Sequence, residues 1–295
     1  MSDQDRRPGP AGQYPEPGFP DQKQQPPGQT EEMEPKPDHG EETYRGSGRL
    51  EGRKAVVTGG DSGIGRAVSL AFAREGADVL FTHLPEEDKE AARTSRLVED
   101  AGRKAVAVVC DIREEENCRR LVERAASEFG RIDILVNNAA FQMSRPGGIE
   151  EIPTEQFDRV MRTNLYGMFW LSKYALPHIP EGGCIINSTS IQAYQPKPHL
   201  LDYATAKGGI VTFTKGLAVQ LAERGIRVNA VAPGPVWTPL IPATMPDTTE
   251  FGAKAPFGRP AQPAEMAPAY VFLASPEAGY ITAEILNATG GAPLP

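Results

Sequence analysis

A doubly wound α/β sheet is the fold this sequence predicts, and three observations predict it. Short apolar runs alternate with longer amphipathic stretches from Arg53 onward, several runs are unbroken Val, Ile and Leu, and a glycine-rich turn follows the first. The runs 55–58, 78–82, 105–110, 132–136, 184–188, 227–231 and 284–287 predict strands. Between them, 63–75, 86–101, 114–129, 154–175, 202–224 and 263–274 carry helical patterns. Continuous aliphatic runs suit strands covered on both faces, as in a parallel sheet. Strands alternating with helices imply βαβ crossovers, hence helices on both sides of one sheet of about seven strands. No internal repeat is present, so one domain is expected over 49–295.

Residues 1–48 read differently. They hold nine of the 28 prolines, repeated Gln and Gly, and almost no aliphatic side chains. Such a segment buries too little apolar surface to offset its ordering entropy, and a disordered linker is expected. It carries ten acids against five bases, which leaves only −3 of the total −8 on 49–295. A nearly neutral domain offers no electrostatic footprint for nucleic acid or an anionic membrane. No stretch reaches the ~20 apolar residues of a membrane span, and the N-terminus lacks a secretion signal's apolar core. Cys110, Cys118 and Cys184 are widely spaced with no His-rich company, so reduced packing thiols are expected rather than disulfides or a metal site. A cytoplasmic location and no metal are the resulting expectations.

The first strand ends in Thr58-Gly59-Gly60-Asp61-Ser62-Gly63-Ile64-Gly65, directly before a helix. Glycines there let the backbone turn tightly and approach a pyrophosphate seated on the helix N-terminus. The spacing is Gly-x-x-x-Gly-x-Gly, not the Gly-x-Gly-x-x-Gly of the common dinucleotide fingerprint. Further along, Tyr203 and Lys207 stand one helical turn apart, with Ser190 thirteen residues upstream. An ammonium beside a phenol favours the phenolate, which would fit Tyr203 for acid–base work. With eight tyrosines in the chain the spacing alone is weak, arising by chance ~0.3 times.

Taken in order, Thr-Gly-x-x-x-Gly-Ile-Gly, Asn137-Asn138-Ala139-Ala140, Asn164, Ser190 and Tyr203-x-x-x-Lys207 resemble the short-chain dehydrogenase/reductase superfamily. The resemblance covers 49–295, including Pro233-Gly234 and Gly290-Gly291. It extends to a bacterial subgroup of uncharacterised oxidoreductases and general stress proteins with a Pro/Gln-rich N-terminal tail and a Ser-Ile-Gln-Ala-Tyr segment like 190–194. It implies a Rossmann-like domain that interconverts an alcohol and a carbonyl with NAD or NADP, and a catalytic tetrad of Asn164, Ser190, Tyr203 and Lys207. Tyr203 would pass the proton, Ser190 would hold the substrate oxygen, Lys207 would depress the Tyr203 pKa and bind the nicotinamide ribose, and Asn164 would hold a relay water. Ser188 lacks the offset to Tyr203 and reads as a strand end.

Cofactor contacts implied by the resemblance are Gly59, Asp61, Ser62, Gly63, Ile64, Gly65, His83, Asp111, Asn138, Ala139, Tyr203, Lys207, Pro233, Gly234, Val236 and Thr238. His83 stands where NAD-specific relatives place an acid. Yet Asp61, Glu86, Glu87 and Asp88 would receive a 2′-phosphate poorly unless Arg66 or a protonated His83 reached it, so the balance falls on NAD. Asp111 would contact the adenine amino group or cap the helix after it. Substrate contacts are Ser190, Gln192 and Tyr203, with Phe141, Gln142, Met143, Tyr194, His199 and Trp237 around them. These suit a small polar aldehyde, ketone, sugar or polyol. The lid 236–257 is proline-rich and expected to stay mobile until ligand binds. Ala283 stands where the family often has a glycine, read as serving a subunit contact. The family further implies a homotetramer through 154–175 and 202–224. The rival reading is a non-catalytic dinucleotide-binding sensor or scaffold, against which a complete tetrad speaks.

Overall fold

The computed structural model describes residues 9–294. Seven strands form one parallel sheet: β1 (Lys54–Val57), β2 (Asp78–His83), β3 (Ala105–Val109), β4 (Ile134–Asn137), β5 (Cys184–Ser188), β6 (Arg227–Pro233) and β7 (Ile285–Ala288). Their order is β3-β2-β1-β4-β5-β6-β7. The chain therefore winds outward from β1 to β3, then returns to lay β4 against the other side of β1. The seam between β1 and β4 is the switch point, where α/β sheets open a crevice beyond the strand ends. The expected elements are all present, with ends displaced by up to three residues.

Helices α1 (Gly63–Arg74), α2 (Asp88–Asp100) and α7 (Pro263–Ala274) cover one face. Their core includes Val57, Phe72, Phe81, Val136, Ile186 and Tyr270, all nearly inaccessible. On the other face lie α3 (Glu115–Phe129), α5 (Gly167–Ala175) and α6 (Leu201–Leu221), packed on Val56, Leu80, Leu135, Ile185 and Val228. Adjacent residues such as Val56 and Val57 thus enter opposite cores, which is why the strands read as unbroken apolar runs.

The single helix expected over 154–175 is interrupted. α4 (Thr154–Met161) passes into a π-helical turn, Arg162–Tyr166, before α5 resumes. A π-turn frees backbone groups and re-aims side chains, and such turns gather at functional sites. Asn164 sits in its middle.

Ala283 has φ of 64°, the one non-glycine residue with positive φ among the described residues. A glycine at this position would serve the backbone conformation directly, so the reading of a subunit contact is replaced by a steric one. The strain costs about 1–2 kcal/mol.

The reading of 1–48 as a disordered linker fails over the described part. Residues 9–48 lie along the domain and are held at many points. Phe19 and Met33 are buried against Trp237 and Ile241. The Trp237 indole N–H donates to Pro35 O at 2.7 Å, and the Arg259 guanidinium donates to the carbonyls of Pro10 and Ala11. Arg74 donates to the carbonyls of Gly40 and Tyr44, both at 2.7 Å. Composition misled because the domain, not the segment, supplies the apolar partners and donors. Prolines also lower the entropy lost on ordering.

The segment ends at Glu75, whose side chain is inaccessible at the end of α1. It accepts from Tyr44 Oη at 2.6 Å, Ser47 N at 2.8 Å, Arg49 N at 3.0 Å and Arg49 Nη2 at 2.8 Å. Burial alone would raise its pKa, but these donors outweigh it and bring the carboxyl from 4.5 to about 2. A depressed folded pKa contributes stability above the unfolded value and loses it as pH falls towards the folded one. The Glu75→Gln variant should unfold in urea with about 2 kcal/mol less stability at neutral pH. That deficit should shrink between about pH 4.5 and pH 2, and an undiminished deficit there would contradict the assignment.

Candidate active site

The site grows from the β1–β4 seam. After β1 the chain turns through Gly59 and Gly63, at φ of 62° and 49°, conformations that favour glycine. A Cβ on Gly65 would lie 1.9 Å from Gly59 O and 2.8 Å from Asn138 Nδ2. The turn is therefore folded onto the end of β4 with no room for a side chain. Asn138 N and Ala139 N donate to Thr58 Oγ1 at 2.9 and 3.0 Å, and Asn138 Nδ2 donates to Thr58 O at 3.0 Å.

Above this seam opens a cleft of about 830 Å³. Gly59, Asp61, Ser62, Gly63 and Ile64 line one end with His83 and Asp111, while Gly65 packs behind them. Asn138, Ala139, Pro233, Gly234, Val236 and Thr238 line the middle. Ser190, Gln192, Tyr203 and Lys207 line the far end with Gln142 and His199. Met143, Tyr194 and Trp237 stand outside the lining; Trp237, itself in the lid, is fully buried against Phe19 and Met33. The cleft suits an extended dinucleotide, with a side-chain-free cradle at the glycine turn for a pyrophosphate.

Ser190 precedes a short turn whose Gln192 N donates to its hydroxyl at 3.1 Å. Tyr203 and Lys207 project from the first two turns of α6, both buried. The Lys207 ammonium lies 5.2 Å from the centre of the Tyr203 ring and donates to Ser188 O at 2.8 Å. Burial pushes the Tyr203 phenol up to about 12, against the lowering effect of the Ser190 hydroxyl. Burial likewise brings Lys207 down to about 7. Desolvation disfavours both charged forms and so opposes the depression of Tyr203 expected from Lys207.

Asn164 is buried in the π-turn, its amide donating to Phe141 O at 2.8 Å and Val160 O at 2.9 Å. Its Oδ1 has no partner. A cavity of about 10 Å³, close to one water in size, lies between Asn164, Lys207 and Ser188. Ser188, read from the sequence as a strand end, contributes through its backbone as well as its side chain. Its carbonyl positions Lys207, and its hydroxyl hydrogen-bonds Tyr270 Oη at 2.7 Å.

At the other end Arg66 does not line the cleft. It is fully buried, ion-paired with Glu90, and donates to Asp61 O at 2.8 Å. His83 Nδ1 is engaged with Leu84 O at 3.0 Å. Asp61 Oδ2 is buried without a partner. Burial raises the Asp61 carboxyl, and burial followed by the charge of Asp61 raises Glu87, which also lines the cleft. Asp111 is no cap for α3, which begins four residues later: its carboxylate accepts from Arg113 N at 3.0 Å and Arg113 Nε at 2.9 Å, and stays below its ordinary pKa.

Burial raises all three thiols above their ordinary range, and none is paired. Among the described residues no His, Cys, Asp and Glu cluster could hold a metal, and no helix is long and apolar enough to cross a membrane.

The model of the enoyl-(acyl carrier protein) reductase family matches residues 59–292. The uncharacterised oxidoreductase YhxD of Bacillus subtilis is 49% identical over 93% of this chain and 94% of its own. Glucose and ribitol dehydrogenase of Daucus carota is 46% identical over 93% and 97%. The chloroplastic NADPH-dependent aldehyde reductase 1 of Arabidopsis thaliana is 47% identical over 90% and 95%. Among solved structures, 3-ketoacyl-(acyl-carrier-protein) reductase of Brucella melitensis, complexed with NADH, superposes with a TM-score of 0.75. That structure is 37% identical, over 82% of this chain and 98% of its own. With its sheet order, glycine turn and matched length, the chain belongs to the short-chain dehydrogenase/reductase family of oxidoreductases.

Proposed function

We propose that this protein reduces a small polar carbonyl, or oxidises the matching alcohol, with NAD(P) held along the cleft. The observation that carries the reading is the convergence of Ser190, Tyr203 and Lys207 at the end of the cleft that begins at the glycine turn. Gly59, Ser62, Gly63 and Ile64 would hold the pyrophosphate, Asn138 and Ala139 the middle, and Lys207, Pro233, Gly234, Val236 and Thr238 the nicotinamide half. The bound nicotinamide would supply or accept the hydride.

The chain's own residues manage the proton. The Ser190 and Tyr203 hydroxyls would both donate to the substrate oxygen, fixing it and drawing charge onto it. Tyr203, a phenol firmly protonated by burial, is suited to give its proton to an oxygen that becomes an alkoxide. The phenolate so formed favours a charged Lys207 one turn away, and a Lys207 near 7 can pass a proton on and recover it. The unpaired Asn164 Oδ1 beside the small cavity fits a water that would complete that path. Cleft residues Gln142, Gln192 and His199 suit a hydroxylated substrate, in keeping with relatives named for glucose, ribitol and aldehydes. Exposed Phe157, Tyr166, Phe169, Leu201 and Val219 on α4 to α6 support a homotetramer built on those helices.

Cofactor choice draws on opposed observations. The carboxyls of Asp61 and Glu87, with Arg66 paired to Glu90 outside the lining and His83 Nδ1 held by Leu84 O, disfavour a 2′-phosphate and support NAD. The NADPH-dependent Arabidopsis relative weighs for NADP. We infer that either is accepted, with Glu87 restraining NADP. Burial, and then the charge of Asp61, raise the Glu87 carboxyl to about 8, so Glu87→Gln should tighten NADPH binding relative to NADH by about tenfold above that pH, where a like charge is removed, and by little below it. Titrating both reduced dinucleotides by fluorescence reads this directly, and an unchanged ratio would remove Glu87 from the argument.

A panel of aldehydes, ketones, sugars and polyols with both cofactors tests the reaction. Tyr203→Phe should lower kcat about 10²–10⁴-fold while leaving cofactor affinity within about twofold. Full turnover in that variant would sink the mechanism.

A further inference from the structure

We propose that residues 18–36 are a strap that walls the dinucleotide cleft and sets how fast the cofactor leaves; this rests on the oxidoreductase reading above. Pro26, Pro27 and Gly28 line the same cleft as the glycine turn. The spot where Gly63 would carry a Cβ is 3.2 Å from Thr238, and Pro239 O lies 2.3 Å from the spot where Gly28 would carry one. Glycine turn, lid and strap are therefore stacked in direct contact across the mouth of the cleft. Gly28 does not adopt positive φ; a glycine is needed here for close approach.

The strap is tied to both banks. On the lid side, Gly18 N and Phe19 N donate to Thr249 O at 2.8 and 3.1 Å, and Gln24 N donates to Pro242 O at 3.0 Å. The Phe19 ring stacks 4.4 Å from Trp237, which itself meets Phe251. On the α2 side, Gln29 Nε2 donates to Glu86 O at 3.2 Å and Glu31 N donates to Glu90 Oε1 at 3.3 Å. Glu31 is also ion-paired with Arg93. Glu90 in turn pairs with Arg66, one turn into the helix that opens with the glycine turn. A ligand lying between the glycine turn and the lid is thus enclosed beneath 26–28.

The two banks differ in kind. The lid side is apolar and buried, whereas the Glu31–Arg93 pair is half exposed and open to screening by salt. The strap therefore opens from the α2 side while it stays pinned on Trp237, and dinucleotide exchange waits on that opening.

Stopped-flow release of reduced dinucleotide from the full-length protein tests this, comparing wild type with Glu31→Lys and Gly28→Val. Glu31→Lys reverses an exposed charge and should keep the thermal midpoint of the cofactor-free protein. Gly28→Val forces the strap off Pro239. Both variants should release the dinucleotide about tenfold faster, and wild-type release should quicken with added salt. Amide exchange gives a second readout: 18–36 should gain protection when the dinucleotide binds. Release at the wild-type rate in both variants, or slower release, overturns the strap's role even though binding is intact. A wild-type chain that binds neither NADH nor NADPH would instead overturn the oxidoreductase reading, and the strap proposal with it.

Discussion

The staple between Thr58 and Asn138 holds the rest of the site in place. At the β1–β4 seam, one hydroxyl accepts from two successive backbone N–H groups, and one side-chain amide returns a hydrogen bond to the Thr58 carbonyl. Parallel strands whose connections leave in opposite directions have nothing above their ends to fill the crevice. The staple fixes how far apart the ends stand, and Gly65 lets the turn close onto it with no side chain between. Loss of that register would misplace the glycine turn and the Asn138–Ala139 segment together, and every residue further along the cleft is placed relative to those two.

The chemistry at the far end depends on burial more than on pairing. In water, a phenol beside an ammonium would be shifted towards the phenolate. Inside the protein both charged forms lose solvation, and the arrangement rests on a protonated phenol and an amine titrating near neutrality. Under the proposed function, a donor that stays protonated until the substrate oxygen develops charge suits carbonyl reduction. Lys207 is held for this by Ser188 O, a backbone acceptor set at the end of β5 by the sheet itself. Its position therefore follows from strand pairing and owes little to any side chain a motif would record.

This explains which parts were legible in the sequence. The strands, their parallel direction and the meeting of Ser190, Tyr203 and Lys207 at one cleft follow from patterns that recur at fixed spacing. Aliphatic runs and glycine positions are read directly from residue types, because their function is steric. The π-turn at Asn164 was not legible, since 154–175 has a continuous helical pattern and the extra residue per turn is set by the amide's bonds to Phe141 O and Val160 O. The removal of Arg66 from the cofactor site was likewise hidden. Its partner Glu90 lies 24 residues away, and nothing in either residue's neighbourhood announces a buried pair. Backbone acceptors such as Ser188 O carry no residue identity at all.

The N-terminal segment shows the same limit from the opposite direction. Its composition is that of a chain unable to build a core, and by itself that conclusion holds. A segment needs no core of its own where a domain offers one. Trp237 presents an indole face to Phe19 and an N–H to Pro35 O, while Arg259, Arg74 and Gln262 reach other parts of the segment. Each is a domain side chain that would otherwise leave a donor, an acceptor or an apolar face uncovered. Burying such groups without partners costs free energy, so a proline-rich strand with free carbonyls is an apt cover for them. Disorder inferred from composition alone presumes that the rest of the protein is already satisfied, and a fully buried tryptophan in a surface lid shows that here it was not.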